Sequence, residues 1–490
     1  MADRAPRSAD TVSARVPDST SPEQDEAGGE NLKRGLSNRH IQLIAIGGAI
    51  GTGLFMGSGK TISVAGPSVL LVYAVIGFML FFVMRAMGEL LLANLNYKSL
   101  RDAVSDILGP TAGFVCGWTY WFCWIVTGMA DIVAITGYVQ YWWPGIPLFL
   151  PGAVTILVML GLNLVAVRLF GELEFWFSII KIVAIVALIF TGLAMVFAHF
   201  ESPDGSVAQF SNLIEHGGFF PNGITGFLAG FQIAIFAFVG VELAGTAAAE
   251  TADPEKNLPR AINAIPLRVV LFYVLALAVI MMVTPWDRVP ADNSPFVQMF
   301  ALAGLPAAAG VINFVVLTAA ASSANSGIFS TSRMIYGLAL EGAAPTRWAR
   351  LSRTQVPARG LGFSVICLIP SLVVLYAGSS VMEAFTLITT VSSVLFMVVW
   401  SFILVSYLVF RRNSPELHAI SRFKVPGGRV MCWVVLAFFA FMIVVLTMEN
   451  DTRSALIATP VWFVVLGIGW WLTGGAKGAA KRSQLPAGTP

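Results

Sequence analysis

Charge is scarce in this sequence. Only 12% of its 490 residues are Asp, Glu, Lys or Arg, whereas 57% are hydrophobic. A chain with so few charged side chains cannot cover the surface of a soluble globular protein. The composition therefore predicts an integral membrane protein, with the lipid bilayer as the environment of most of its residues.

Metal ligands and catalytic motifs are also scarce. The four cysteines and four histidines are scattered, without the C-x-x-C or H-E-x-x-H spacing that is typical of redox and zinc sites. The string from Gly57 to Thr61 fails as a phosphate-binding loop because Leu54 stands where that motif requires glycine. The sequence accordingly predicts no metal, no cofactor and no enzymatic activity. The net charge of +3 gives no reason to expect a nucleic-acid partner.

Apolar runs account for most of the chain. Each is near the roughly 20 residues that a membrane-spanning helix needs. We number them span 1 to span 12, near residues 41–63, 69–94, 112–140, 149–167, 176–197, 224–248, 269–284, 306–332, 361–376, 384–410, 431–447 and 455–473. We expect a transmembrane domain over residues 36–474, preceded by a disordered polar tail at 1–35 and followed by a short tail at 475–490.

Lysine and arginine are distributed unevenly between the loops. If both termini are cytoplasmic, the outward loops hold only Lys60, Arg288 and Arg453, while the inward loops hold clusters at residues 347–359 and 411–429. Positive side chains mark the cytoplasmic side of a membrane protein. The distribution predicts an even number of spans and cytoplasmic tails.

Glycine is concentrated in the middle of span 1, in the string GGAIGTG at residues 47–53. Four glycines disfavour a continuous helix, and a broken helix is tolerated at this depth only where protein or an aqueous cavity covers it. Span 6 has a comparable break around Gly240. Breaks five spans apart are typical of transporters built from inverted repeats, here spans 1–5 and 6–10 with spans 11 and 12 appended. The alternative for Gly240 and Gly245 is a small-residue packing face between helices.

Four segments resemble the bacterial amino acid permeases of the amino acid/polyamine/organocation superfamily. They are Gly47–Phe55 (GGAIGTGLF), Val83–Leu90 (VMRAMGEL), Gly117–Trp121 (GWTYW) and Phe236–Pro254 (FAFVGVELAGTAAAETADP). The resemblance extends from about Leu36 to Gly474. It implies an all-α amino acid importer of a bacterial inner membrane.

Three further segments narrow the resemblance to permeases for small neutral amino acids. They are Asn38–Ser63, Gly128–Thr136 and Ser322–Met334. They imply glycine, D-alanine and D-serine as substrates, with L-alanine a further candidate.

The break in span 1 is suited to the carboxylate of an amino acid. A helix that restarts within the membrane presents free N–H groups and roughly half a positive charge. We expect the amides of Gly51, Thr52 and Gly53 to bind the carboxylate, with the Thr52 hydroxyl as a further donor. The superfamily has an equivalent turn, and the present sequence keeps it.

The ammonium position follows from the resemblance alone. It implies that the ammonium contacts freed carbonyls at Ala49, Phe236 and Val239, and that the Phe236 ring acts as a lid. Ala49 and Gly240 would leave room around the substrate Cα. The alternative for Phe236 is packing against lipid or core.

Three ionisable residues are predicted within spans, where a charge costs at least roughly 2.5 kcal/mol and marks a functional position. The resemblance places Lys181 where sodium-coupled relatives hold a sodium ion; there it would brace spans 1 and 8, either as a proton carrier or as a permanent charge. Glu242 matches an acidic position of the family motif F-x-G-x-E and is a proton relay or a structural acid. Asp131 stands where related permeases carry Glu, and its shorter side chain leaves its reach toward the site open.

The sequence thus predicts a proton-coupled importer of small neutral amino acids. Its alternatives are another neutral or aromatic amino acid permease, an exchanger without proton coupling, and a nutrient receptor that uses the transporter fold.

Overall fold

The computed structural model describes residues 50–95, 97, 99–165, 167–243, 253–352, 355–376 and 380–472, except for the side chains of residues 165–171. The expectations for the two tails and for Ala49 lie outside these residues.

The described residues are predominantly helical, which pairs the backbone N–H and C=O groups that hydrocarbon would leave unsatisfied. In the first half the helices run Thr52–Phe55 and Gly57–Ala65 (span 1), Val69–Ala93 (span 2), Pro110–Gln140 (span 3), Phe149–Val165 (span 4) and Val167–Phe197 (span 5). In the second half they run Gly223–Ala234 followed by the 3-10 turn Ile235–Phe238 (span 6), Pro254–Asn263 through Ala276–Val283 (span 7), Pro306–Leu340 (span 8), Ala358–Ile366 and Pro370–Val374 (span 9), Val381–Asn413 (span 10), Gly428–Val445 (span 11) and Asn450–Leu472 (span 12).

Nine of the helical stretches in the described part of the chain are long and apolar enough to cross a membrane, and two shorter apolar helices correspond to spans 4 and 9. One of the nine, Gly57–Ala93, contains the end of span 1 together with span 2, and the turn Gly66–Ser68 separates them. Each of the twelve predicted spans thus contains helix in the described part of the chain. The prediction of an all-α membrane protein is confirmed.

Span 7 begins earlier than hydropathy indicates. The apolar run predicts it at 269–284, whereas its helix starts at Pro254 and passes through a π-helical segment, Val269–Leu275, before it ends at Val283. Its first ten residues, PEKNLPRAIN, are polar on one side, while Leu258 and Ile262 are buried on the other. The charged face lowers the mean hydropathy and conceals the helix, although helical spacing of the apolar residues is present.

Span 3 lies at the centre of the helix packing. Of its most apolar stretch 78% is buried, against 17% in span 12. Span 3 packs against spans 8 and 10, and span 8 approaches closely because its facing residues are small. At one crossing a Cβ added to Gly327 would lie 3.4 Å from the Trp124 ring and 3.7 Å from the Trp124 carbonyl oxygen, so the two helices are in van der Waals contact there. Span 3 is therefore placed to contribute side chains to any site between the two halves.

Candidate functional site at two broken helices

The helix of span 1 starts at Thr52, after the extended residue Gly51 (φ −124°, ψ −169°). The Gly51 carbonyl accepts hydrogen bonds from the N–H groups of Leu54 and Phe55 at 3.2 and 3.3 Å. No described residue accepts a hydrogen bond from the N–H of Thr52 or Gly53. A Cβ added to Gly51 would meet no atom of the described residues within 4 Å. This helix start thus places backbone donors beside open space, an arrangement that suits an anion.

The helix of span 6 is interrupted at the position that its glycine predicts. It tightens into the 3-10 turn Ile235–Phe238, Val239 turns to an extended conformation (ψ 133°), and Gly240 has φ +94°. A left-handed φ of this kind is favourable only for glycine. The Phe236 carbonyl accepts the Val239 N–H at 3.1 Å, so one lone pair of that oxygen is already used.

Span 7 supports this break. The Tyr273 hydroxyl donates to the Ala237 carbonyl at 2.9 Å, and its ring stacks on Phe238 with centroids 4.9 Å apart. A carbonyl freed by the interruption is thereby satisfied. Contacts with span 7 therefore stabilise the interrupted conformation of span 6.

The two breaks meet each other. A Cβ added to Gly53 would lie 2.5 Å from the Ala237 Cα and 2.9 Å from the Phe236 carbonyl carbon. Such separations are shorter than any contact between real Cβ and backbone atoms. Spans 1 and 6 therefore touch backbone to backbone, and the structure brings the predicted residues Gly51–Gly53 and Phe236–Gly240 together.

The Phe236 ring is enclosed. It is 3% exposed and packs edge to face on Phe385 of span 10, with centroids 5.9 Å apart. Such burial is expected both for a lid that has closed over the site and for an ordinary core residue. Both interpretations of Phe236 stay open.

Thr52 and Asp131 form a buried pair. The Thr52 hydroxyl donates to the Asp131 Oδ1 at 2.7 Å, and the two residues are 2% and 0% exposed. The side chain of Ser323 in span 8 also interacts with the Asp131 carboxylate. Asp131 therefore reaches the span 1 break in spite of its short side chain. The hydroxyl that was expected to bind a substrate carboxylate is engaged by Asp131 in this structure.

Lys181 is buried, with 1% of its surface exposed. Its Nζ donates to the Ser322 Oγ of span 8 at 3.0 Å, and it interacts electrostatically with both Glu174 and Asp131. Lys181 thus contacts span 8, and its role as a brace or as a proton carrier stays a prediction. Residues 41–49 of span 1, the other candidate partner, lie outside the described residues.

Glu242 follows the span 6 break and is fully buried. The Tyr120 hydroxyl of span 3 donates to its Oε1 at 3.4 Å, a long hydrogen bond. Span 3 therefore approaches both breaks. Its Asp131 contacts Thr52 at the span 1 break, and its Tyr120 contacts Glu242, which follows the span 6 break.

Glu174 is a buried acid that the sequence analysis missed. It is 2% exposed, and its Oε1 accepts a hydrogen bond from the Ser322 Oγ at 2.7 Å. Hydropathy places the start of span 5 at residue 176, whereas the helix begins at Val167. The signal that identifies Glu174 is its spacing of seven residues from Lys181, which places the two on one helix face.

Within the described ranges, no group of three His, Cys, Asp or Glu side chains is placed to hold a metal ion.

Sequence comparison finds relatives over almost the whole chain. The amino acid permease family matches residues 40–479. The D-serine/D-alanine/glycine transporter of Escherichia coli strain K12 is 63% identical over 453 residues, which cover 92% of this chain and 96% of that protein. The amino-acid permease AapA of Bacillus subtilis strain 168 is 50% identical over 89% of this chain and 94% of its own. The aromatic amino acid transport protein AroP of Escherichia coli O6:H1 is 40% identical over 90% of this chain and 96% of its own.

Proposed function

This chain belongs to the amino acid permease family, and from that premise we propose that it imports small neutral amino acids together with protons, with glycine, D-alanine and D-serine as its best substrates. The observation that carries the substrate class is the 63% identity to a D-serine/D-alanine/glycine transporter over 92% of the chain. The identity to an aromatic amino acid transport protein is lower, at 40%.

The geometry of the breaks supports a zwitterionic substrate. The N–H groups of Thr52 and Gly53 face no described acceptor and suit a carboxylate. A few ångströms away the interrupted span 6 has carbonyls at Phe236 and Val239, which suit an ammonium. Donors and acceptors on two touching helices match the two charges of one small molecule.

Substrate size limits the affinity. At no more than about 1.5 kcal/mol per heavy atom, the five heavy atoms of glycine give at most about 7.5 kcal/mol, or a Kd no tighter than about 3 μM. Such binding allows release at each transport cycle. We expect micromolar or weaker binding of glycine.

The buried ionisable side chains support proton coupling. A substrate carboxylate at the amides of Thr52 and Gly53 would place a second negative charge beside Asp131. Two like charges in a low-dielectric site repel each other unless a proton is bound. Binding of the amino acid is thereby linked to binding of a proton, with Asp131, Lys181 and Glu242 as the groups that carry it.

The uneven distribution of Lys and Arg supports an orientation with both tails in the cytoplasm of a bacterial inner membrane. In that orientation span 5 starts at the cytoplasmic side, and import runs from the outer ends of spans 1 and 6 toward their inner ends.

The test is transport by the purified protein in proteoliposomes. Uptake of labelled glycine should rise when the outside is made more acidic, and an excess of unlabelled D-alanine, D-serine or glycine should compete more strongly than phenylalanine or tryptophan. Stronger competition by aromatic amino acids would contradict the proposed substrates and identify an aromatic amino acid permease. Counterflow that is unaffected by a pH gradient, without accumulation in its presence, would identify an exchanger. Binding without any flux would identify a receptor.

A further inference from the structure

Glu174 and Lys181 form the two ends of a buried hydrogen-bonded chain. Ser322 of span 8 lies between them: its Oγ accepts a hydrogen bond from the Lys181 Nζ at 3.0 Å and donates one to the Glu174 Oε1 at 2.7 Å. The three residues are between 0% and 2% exposed. A hydroxyl that accepts a hydrogen bond from an ammonium and donates one to a carboxylate is the minimal connection through which a proton can pass.

The surroundings of this hydrogen-bonded chain are polar, although they lie within the helix packing. Asn163 of span 4 donates to Asn325 of span 8 at 2.8 Å. The Ser326 side chain also interacts with the Glu174 carboxylate, while the Asn325 Nδ2 and the Ser178 hydroxyl have no hydrogen-bond partner among the described residues. Buried polar groups are nearly always paired, so unpaired polar atoms on the two helices that carry this ion pair point to a function beyond packing.

Among the described residues, the charged group that interacts with Glu174 is Lys181 of span 5 itself. Lys181 interacts in turn with Asp131 of span 3, which is not among the partners of Glu174. Spans 4 and 8 contribute amides and hydroxyls, namely Asn163, Asn325, Ser322 and Ser326. Lys181 is thus placed between one acid at the candidate substrate site and a second acid away from it.

The direction of the chain follows from the helix geometry. Glu174 precedes Lys181 by seven residues, or about 10 Å along span 5, toward the end of the helix that the proposed orientation places at the cytoplasm. Asp131 is bonded to Thr52 at the span 1 break. The order from the substrate site inward is Thr52, Asp131, Lys181, Ser322 and Glu174.

We propose that Glu174 is the inner proton acceptor of the transport cycle and receives the proton of Lys181 through Ser322; this rests on the proposed function, because it assigns an exit route to the coupled proton. In the step, an Nζ–H bond of Lys181 breaks as its proton passes to the Ser322 Oγ. The original Oγ–H bond breaks as that proton passes to the Glu174 Oε1. An ammonium and a carboxylate become an amine and a carboxylic acid, and the net charge of the pair stays zero.

This constancy of charge favours the step in a low-dielectric interior. An isolated charge is costly to bury, whereas an ion pair and its neutral counterpart differ only by the position of a proton. The acid then releases its proton toward the inner end of span 5, and the neutral amine accepts the next one from the substrate side. Glu174 acts through Lys181 and is a positioning and relay residue that need not touch the amino acid.

The experiment compares Glu174→Gln with the parent protein in proteoliposomes that contain a pH-sensitive dye. Glycine counterflow, which needs no net proton movement, should stay within about twofold of the parent value. Glycine-driven acidification of the lumen and glycine accumulation should each fall at least about tenfold, because an amide keeps the hydrogen bond to Ser322 but cannot accept its proton. Ser322→Ala, which removes the connecting hydroxyl, should show the same pattern.

Glu172→Gln is the matched control, since it removes a carboxylate two residues away on another face of the same helix. It should keep the parent ratio of protons to glycine. A Glu174→Gln protein that keeps that ratio would overturn the relay alone, and so would loss of counterflow together with acidification in a protein of normal thermal stability. If Glu174→Gln fails to fold, Ser322→Ala decides by the same two outcomes. A parent protein that moves no protons with glycine would overturn the proposed coupling itself.

Discussion

Gly53 of span 1 and Ala237 of span 6 touch through their backbones, so closely that a Cβ atom on Gly53 would lie 2.5 Å from the Ala237 Cα. A Cβ added to Gly51, two residues earlier, would have no atom of the described part of the chain within 4 Å. The two glycines of one short motif therefore have different physical roles. Gly53 permits the helices to meet, and Gly51 leaves space in front of the free amides.

Gly53→Ala and Gly51→Ala should separate these roles. Because the atoms that oppose Gly53 are backbone atoms and cannot rotate away, Gly53→Ala should destabilise the protein by about 1–3 kcal/mol or more and abolish glycine uptake. Gly51→Ala should keep the parent melting temperature and weaken glycine binding instead. Both variants can be followed by thermal melting in detergent and by glycine binding. Equal melting temperatures for the two variants would contradict the contact between the breaks.

The sequence predicts the break in span 6, because a glycine at bilayer depth is a local signal and Gly240 lies where that helix is interrupted. In span 1, Gly51 immediately precedes the helix that starts at Thr52, and residues 41–49 lie outside the described residues. From the sequence alone, Gly51→Val and Gly53→Val are each expected to block the substrate carboxylate from the amides while the protein still reaches the membrane. The structure changes that expectation for Gly53, since its constraint is a contact with a helix 184 residues away in the chain.

Contacts between distant segments account for the other differences. The bond between Thr52 and Asp131 joins residues 79 positions apart, and no periodicity in a single sequence reports such a pairing. Glu174 was missed for a different reason. Charged residues at the start of a membrane helix lower the mean hydropathy, so that spans 5 and 7 both begin earlier than their apolar runs.

Thr52 offers a test of the buried pair. Thr52→Ser keeps the hydroxyl that donates to Asp131 and should retain most glycine uptake. Thr52→Val is similar in shape but leaves the Asp131 carboxylate without this donor, a loss of about 1.5–3 kcal/mol for a hydrogen bond to a charged group. We expect at least a tenfold loss of uptake for Thr52→Val, measured at equal expression.

Asp131→Asn is the companion variant for the Thr52 pair. If Thr52 acts through Asp131, the effects of Thr52→Val and Asp131→Asn on uptake should not add in the double variant. Additive losses would show that the Thr52 hydroxyl acts on the substrate directly, as the sequence alone suggests.

A substitution at Glu242 tests whether this residue couples protons to transport or only stabilises the span 6 break. Glu242→Gln can still accept a hydrogen bond from Tyr120, so glycine binding and counterflow should persist. Accumulation and its dependence on external pH should be lost, because an amide cannot take up and release a proton. The measurement is glycine accumulation at several external pH values.

Tyr120→Phe is the matched control for Glu242. It removes the long hydrogen bond to the carboxylate but leaves the titrating group in place. The pH dependence should survive in this variant. A Glu242→Gln protein that concentrates glycine with the parent response to pH would assign Glu242 to structure alone.

Two substitutions of Lys181 distinguish a permanently charged brace from a proton carrier. Lys181→Arg keeps a cation that does not deprotonate in the physiological range, while Lys181→Met keeps most of the volume without charge. A pure brace to Ser322 should tolerate Arg better than Met in every assay. A carrier that exchanges its proton with Ser322 should fail in accumulation with both, while counterflow persists in at least the Arg variant. Glycine uptake by the parent should also be independent of sodium at fixed pH, because the resemblance places the Lys181 ammonium where sodium-coupled relatives hold a sodium ion. Uptake that rises steeply with sodium would reject both roles for Lys181.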